Sequence, residues 1–499
     1  MASLSLFCAA STLLLFGQEM PTPDGNALSP LANEALDRAI GHLTEAIHIN
    51  PQSATAYMLR SHMYYVKRDF RRAAQDCTEV LRLQPRSATA YYGRANAYFA
   101  MNNLRRAIED YSRAVDLAPN YTHAFFYRAH AYAQNQDYDA AIDDYSAVVR
   151  LDPQYGAAYY QRALLFFSKG NYDRAIEDCT DAIRIFPAWA EAHSTRGIAF
   201  YRDGDMPRAI RDYTEGIRLD PQDKRAYYNR GLAYWATKEY EKAIKDFTQA
   251  IHLDPKQDFI YDSRAQVYVI QRQYDRALAD YTQAIRVDPK RALYYQSRAS
   301  TYWAKGDLKQ AVADYTHAIR LEPKSAQAYV DRGRAHAALG DEEKAIADFT
   351  QAIRRDAKLV LAYHSRGRAY QDRGEYRRAI EDLEQAARLD SKDAIVRNNI
   401  AWLVATCPAD GIRDGKKAVG YATKACELTN WHDPSHLDTL AAAYAENGQF
   451  EKAVKWQKKA VESPDFPKED LAAGRARLEL YQQGKPYRDP PAQRKHPVP

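Results

Sequence analysis

Apolar side chains recur at three- and four-residue spacing through most of this chain, in blocks of about fourteen residues with short polar breaks between them. Residues 224–257, KRAYYNRGLAYWATKEYEKAIKDFTQAIHLDPKQ, hold two such blocks, and most of the chain varies those 34 letters. Proline marks the period: Pro51, Pro85, Pro119, Pro153, Pro187, Pro221, Pro255, Pro289 and Pro323 each stand 34 residues apart, and the next two beats fall on Ala357 and Ser391. A fixed period of this size specifies a stacked solenoid rather than a closed globule. Ten units start at residues 54, 88, 122, 156, 190, 224, 258, 292, 326 and 360, and together span residues 54–393.

Each unit predicts two helices, over unit positions 1–14 and from about 17 to 30. Glycine stands in the break in half of the copies (Gly170, Gly204, Gly306, Gly340 and Gly374), where it accepts the left-handed backbone that ends a helix. Proline at position 32 stops the second helix because it has no N–H to donate. Position 20 is alanine in every unit, from Ala73 to Ala379, and position 8 is always Gly, Ala or Ser. Small residues at both places let the paired helices approach closely. Larger ones surround them: Tyr57, Phe125 or His193 at position 4, Tyr98 or Tyr234 at position 11, Tyr111 or Phe247 at position 24.

Position 7 is arginine and position 23 aspartate in all ten units, from Arg60 and Asp76 to Arg366 and Asp382. In a hairpin turning near position 15 the two lie at one height. The expectation is a ladder of Arg–Asp pairs, within each unit or to its neighbour, that fixes helix register. A row of ligand-binding arginines is the alternative, weakened because a partly buried arginine left unpaired is costly.

The ends differ. Residues 31–53 read as a second helix without its first, an N-terminal half-repeat. Before it, residues 18–30 form a Pro/Gly-containing linker, and residues 2–17, ASLSLFCAASTLLLFG, resemble the apolar region of a secretory signal. Export is the expectation on that basis, with Met20 as an alternative start and a cytoplasmic chain the result. Residues 394–466 hold two atypical units without the ladder, with Ala418 displaced five residues from the frame by the loop CPADGIRDG. Residues 468–482 predict a capping helix, and KPYRDPPAQRKHPVP a disordered basic tail, so that residues 467–499 close the chain.

Composition changes this picture little. The net charge of +5 comes from 70 basic and 65 acidic residues spread along the chain, which argues against nucleic acid. No segment after residue 17 predicts membrane insertion. The five cysteines include no CxxC; Cys77 and Cys179 share a core slot three units apart, and only Cys407 with Cys426 could form a disulfide. No catalytic constellation, cofactor motif or metal set is present: GxSxG, HExxH and a phosphate-binding Gly-rich loop are all absent, and His432 and His436 have Pro434 between them and no third ligand.

The small-against-large pattern resembles the tetratricopeptide repeat over residues 31–462, with arginine at position 7 where that family commonly has leucine. Residues 398–462 are similar to the closing pair of long bacterial members. The resemblance implies an all-α solenoid, a right-handed superhelix of about twelve helical hairpins, whose first helices line a concave face through positions 2, 5, 9, 12 and 13. Those positions give an aromatic row here, Tyr92, Phe126, Tyr160 and Tyr228 at position 5, then Tyr65, Phe99, Phe167, Tyr201, Trp235 and Trp303 at position 12, followed by a basic stretch with His364, Arg334 and Arg368. The lysine–asparagine clamp by which co-chaperones of this class hold acidic tails is not matched. The reading is a non-enzymatic scaffold that binds a peptide or protein segment in this groove; a regulatory or substrate-recruiting subunit, with catalysis in trans, is the second.

Overall fold

A computed structural model describes residues 30–490; the apolar segment 2–17, the linker up to residue 29 and residues 491–499 lie outside the described residues. Among the described residues there are 26 helices and no strand, as the helical periodicity requires. They fall into two compact units, divided between Leu253 and Asp254.

The first unit opens on a lone helix, Pro30–Ile49, the half-repeat, followed by six hairpins from Ala54–Val66 with Phe70–Leu83 to Lys224–Ala236 with Tyr240–Leu253. The second holds four hairpins of the same kind, from Asp258–Ile270 with Tyr274–Val287 to Val360–Asp372 with Tyr376–Leu389. Two atypical pairs follow, Ala394–Thr406 with Gly415–Leu428 and Pro434–Glu446 with Phe450–Val461, and Leu471–Gln482 closes the array. Each unit is thus an α-solenoid, in which a repeat buries its apolar face on its neighbours.

Local signals set the helix ends. Ser87 and Asn103 accept hydrogen bonds from the backbone N–H groups of Ala90 and Arg106, satisfying donors that a helix start leaves open. Position 15 is left-handed throughout: φ is +75° to +94° at the five glycines and +57° to +66° at Arg68, Asn102, Gln136, Lys238 and Arg272. The turn therefore imposes the conformation whether or not glycine is there to accept it.

The position-20 alanines are at most 1% exposed. Position 8 lies against them: a Cβ added at Gly197 would stand 3.3 Å from the Ala209 carbonyl and 2.8 Å from the Tyr213 ring. Cys77, Cys179, Cys407 and Cys426 are all buried free thiols, so the disulfide open to Cys407 and Cys426 is not formed. Burial pushes the Cys426 thiol up to about 12, and it stays protonated.

Candidate interaction surface

The arginine row is committed to structure. In every one of the ten repeats Nε and Nη2 of the position-7 arginine donate to the two carboxylate oxygens of the position-23 aspartate of the same repeat, at 2.6–2.9 Å. The aspartates are 3–7% exposed. Such a planar two-bond fork is a geometry lysine cannot copy. Aromatic rings flank the guanidinium: that of Arg230 lies 5.8 Å from the Tyr227 ring centre and 5.9 Å from Tyr234. Positions 4 and 11 thereby account for many of the 38 tyrosines.

The third donor reaches into the preceding repeat. Nη1 of Arg94, Arg162 and Arg196 donates to Thr78, Ser146 and Thr180 at 3.2, 2.9 and 3.0 Å, and in the second unit Arg298, Arg332 and Arg366 reach Thr282, Thr316 and Thr350 at 3.0–3.1 Å. These hydroxyls stand at position 25 and in turn donate to the carbonyl four residues back, as Thr180 does to Ile176 at 2.7 Å. One arginine therefore ties both helices of its own repeat to the second helix of the previous one. Hydrogen bonding to the partner aspartate holds the arginines above their ordinary pKa, as for Arg94 with Asp110. At Asp212 burial works to raise the carboxyl, but Arg196 and His193 outweigh it and hold it low.

The ladder stops at Glu384, which takes the position-25 slot of the tenth repeat. Lys417 Nζ meets its Oε1 at 2.6 Å and Tyr421 Oη donates to it at 3.4 Å, while Ile400 fills the arginine slot as buried core.

On the first-helix face of the first unit the aromatic row divides by depth. Phe126 and Tyr160 are 4% and 5% exposed. Phe126 packs on Tyr145 and Tyr155 at 5.6 and 4.9 Å between ring centres, and Tyr160 on Trp189 at 4.5 Å. These two are core, covered by the bulky Tyr155 and Trp189 that end their own repeats, and offer no face to a partner. Tyr65, Tyr92, Phe99, Phe167, Tyr201, Tyr228 and Trp235 are half-buried. Second-helix rings support several of them: Phe70 lies 5.2 Å from Tyr65, Tyr172 5.4 Å from Phe167 and Phe247 5.8 Å from Tyr228. Burial pushes the Tyr65 phenol up to about 12, with Tyr92 also raised, so both phenols stay protonated at neutral pH.

In the second unit Trp303 is half-buried, while Arg334 and Arg368 are exposed. The Arg334 guanidinium lies 5.7 Å from the Trp303 ring centre, a cation–π contact. Arg368 adds to the effect of burial in holding the His364 imidazole low, and Asn399 Nδ2 meets His364 Nε2 at 2.9 Å. The position-2 residues Phe259 and Leu293, and beyond Gln327 Leu361 and Ile395, are apolar and exposed at 36%, 47%, 37% and 61%, and the choice of aromatics at positions 5 and 12 passed over them. Bulky apolar residues in the first turn of four first helices were the available signal.

Among the described residues no group of three or more His, Cys, Asp or Glu is placed to hold a metal, and no helix is long and apolar enough to cross a membrane. His436 is buried by the Asp433 turn, its Nδ1 3.3 Å from Thr429 Oγ1.

Comparison with protein families finds the tetratricopeptide repeat at residues 88–121, 126–188, 194–258, 263–300, 297–359, 360–393 and 435–463. The chain belongs to the tetratricopeptide-repeat family. Among solved structures, YrrB, described as a TPR protein with an unusual peptide-binding site, is 22% identical over 36% of this chain and 94% of its own, with a TM-score of 0.35. MamA is 27% identical over 33% of this chain and 96% of its own, at 0.32. Yeast Tom70 is 15% identical over 86% of this chain and 96% of its own, at 0.39. The comparison with curated proteins finds no match. Within this tetratricopeptide-repeat protein, arginine in place of the usual position-7 leucine exchanges an apolar contact for the ladder.

Proposed function

We propose that this tetratricopeptide-repeat protein is a non-catalytic interaction scaffold, and that the first-helix face of its first unit holds a segment of a protein partner. The observation that carries the reading is the row of half-buried rings at Tyr65, Tyr92, Phe99, Phe167, Tyr201, Tyr228 and Trp235. Rings held from behind by second-helix aromatics lose little freedom on binding, which lowers the cost of association. Aromatic side chains in such settings are the usual anchors of an interface. Arg334 and Arg368 extend the surface of the second unit toward acidic segments.

Selection of peptides from a displayed random library tests this. The unaltered chain should enrich a family of sequences, and a folded chain carrying Tyr201→Ala, Tyr228→Ala and Trp235→Ala should not. Equal enrichment by both would place binding elsewhere. Turnover that appears only when the chain is bound to a partner would favour the recruiting-subunit reading.

A further inference from the structure

Part of the first-helix face of the two atypical C-terminal pairs, at Trp402, Thr406 and Glu446, is covered by the chain's own tail. After Leu471–Gln482, Gly484 adopts φ +68° and the backbone leaves the helix. Residues 485–490 form no regular element. Asp489 Oδ2 accepts hydrogen bonds from Trp402 Nε1 at 2.8 Å and Thr406 Oγ1 at 2.6 Å, and its N–H donates to the Thr406 carbonyl at 2.8 Å. Arg488 Nη1 meets Glu446 Oε2 at 2.6 Å, and the Tyr487 ring lies 6.0 Å from that of Trp402. Trp402 and Thr406 stand at positions 9 and 13 of their repeat, and Glu446 at position 13 of the next. Disorder, expected for the whole tail, therefore does not extend to residues 485–490.

Contacts outside the tail brace the walls of this pocket, although Arg477 also lies 5.5 Å from the Tyr487 ring centre. Arg477 forks onto Asp438 at 3.0 and 2.8 Å, Gln457 Nε2 donates to Asp438 at 2.5 Å, and the Arg477 guanidinium lies 5.3 Å from the Trp402 ring centre. Asp438, Gln457 and Arg477 are at most 7% exposed. Thr406 Oγ1 lies 2.8 Å from the Trp402 carbonyl and Glu446 Oε1 lies 3.4 Å from Arg413 Nε, so the pocket presents a braced indole N–H, a hydroxyl, a backbone carbonyl and a carboxylate beside one resident cation. Three consecutive tail residues answer them with a ring, a cation and a carboxylate plus its own N–H.

We propose that this pocket is a recognition site for an extended peptide carrying an aromatic, a basic and an acidic residue in succession, and that residues 487–489 occupy it in cis and exclude partner segments of the same chemistry. A tether of two residues beyond Gly484 gives the tail an effective concentration on the order of millimolar. A free peptide at micromolar concentration then loses the competition, and its apparent affinity falls by the fraction of chains with an empty site. The pocket is separate from the aromatic face of the first unit, and its test does not depend on that face having a partner.

The probe is a fluorescein-labelled peptide KPYRDPPA, residues 485–492. It is titrated by anisotropy into the full chain and into a full-length variant with Tyr487→Ala, Arg488→Ala and Asp489→Ala, whose pocket is intact. The variant should bind at least ~10-fold more tightly than the unaltered chain, and a peptide with the aspartate changed to asparagine should bind neither. Absence of binding to the folded variant, or equal binding to both chains, would overturn the proposal. Hydrogen exchange on the unaltered chain gives a second reading: excess free peptide should speed exchange at the Asp489 N–H, and no change would count against displacement. A dimer that becomes monomeric in the tail variant would assign the tail to a second copy and overturn the cis arrangement.

Discussion

Arg94 and Asp110, sixteen residues apart on the two helices of one repeat, meet through two parallel hydrogen bonds of 2.7 and 2.8 Å. Asp110 is 6% exposed. Replacing it with asparagine leaves a largely buried guanidinium without its counter-charge, which should cost about 3 kcal/mol. Because repeat stability is local, hydrogen exchange should speed over residues 88–117 and their flanks and hold steady near the C-terminus. Arg94→Met with Asp110→Leu should cost less than Asp110→Asn alone, since the pair is removed whole.

The position-25 hydroxyls carry the link between repeats. Thr180→Val keeps the shape of the side chain and removes both the acceptor for Arg196 Nη1 and the bond to the Ile176 carbonyl. The expected loss is about 1 kcal/mol, read as faster exchange where Tyr172–Ile185 meets Ala190–Asp203. Thr237→Val serves as the control, because the Thr237 hydroxyl bonds only to Ala233, Tyr234 and Glu239 around its own turn and joins no second repeat.

Lys238 and Arg272 sit at φ +63° and +59°, where five other repeats have glycine. An L side chain in the left-handed region costs roughly 1 kcal/mol or more. Lys238→Gly and Arg272→Gly should each raise stability by about that amount, measured as slower local exchange, whereas Gly340→Lys should lower it.

His130 is packed among rings, its centre 4.7 Å from Phe126 and 5.8 Å from Tyr145. Burial pushes its imidazole down to about 4. The unfolded chain takes up this proton near pH 6.5 and the folded chain only near 4, so stability is lost as pH falls through that window. His130→Leu should flatten the loss, by on the order of 2 kcal/mol between pH 7 and 4. Local exchange at the two pH values measures it.

The helix pairs, the alanine contacts and the Arg–Asp ladder were legible in the letters because each repeats in every unit at a fixed position. Position 25 repeats too, as Thr or Ser in most units, yet an isolated helical hydroxyl gives no hint that an arginine 16 residues later needs it. Phe126 and Tyr160 looked like their neighbours in the row; each packs on a bulky residue of an inter-repeat turn, Tyr155 or Trp189, and the letters at position 34 do not predict their depth, since Tyr121 there leaves Tyr92 half-buried. The tail contact was illegible for a different reason. It joins Asp489 to Trp402 and Thr406 across more than eighty positions with no periodicity to announce it.

The role assigned to the aromatic face turns on one titration. A peptide selected on the unaltered chain is titrated calorimetrically into that chain and into the Tyr201→Ala, Tyr228→Ala, Trp235→Ala variant, with circular dichroism melting of both. The expected result is a loss of affinity of ~100-fold or more, as three interface anchors imply, with the helical melt retained. Affinity within twofold in a folded variant would contradict the assignment.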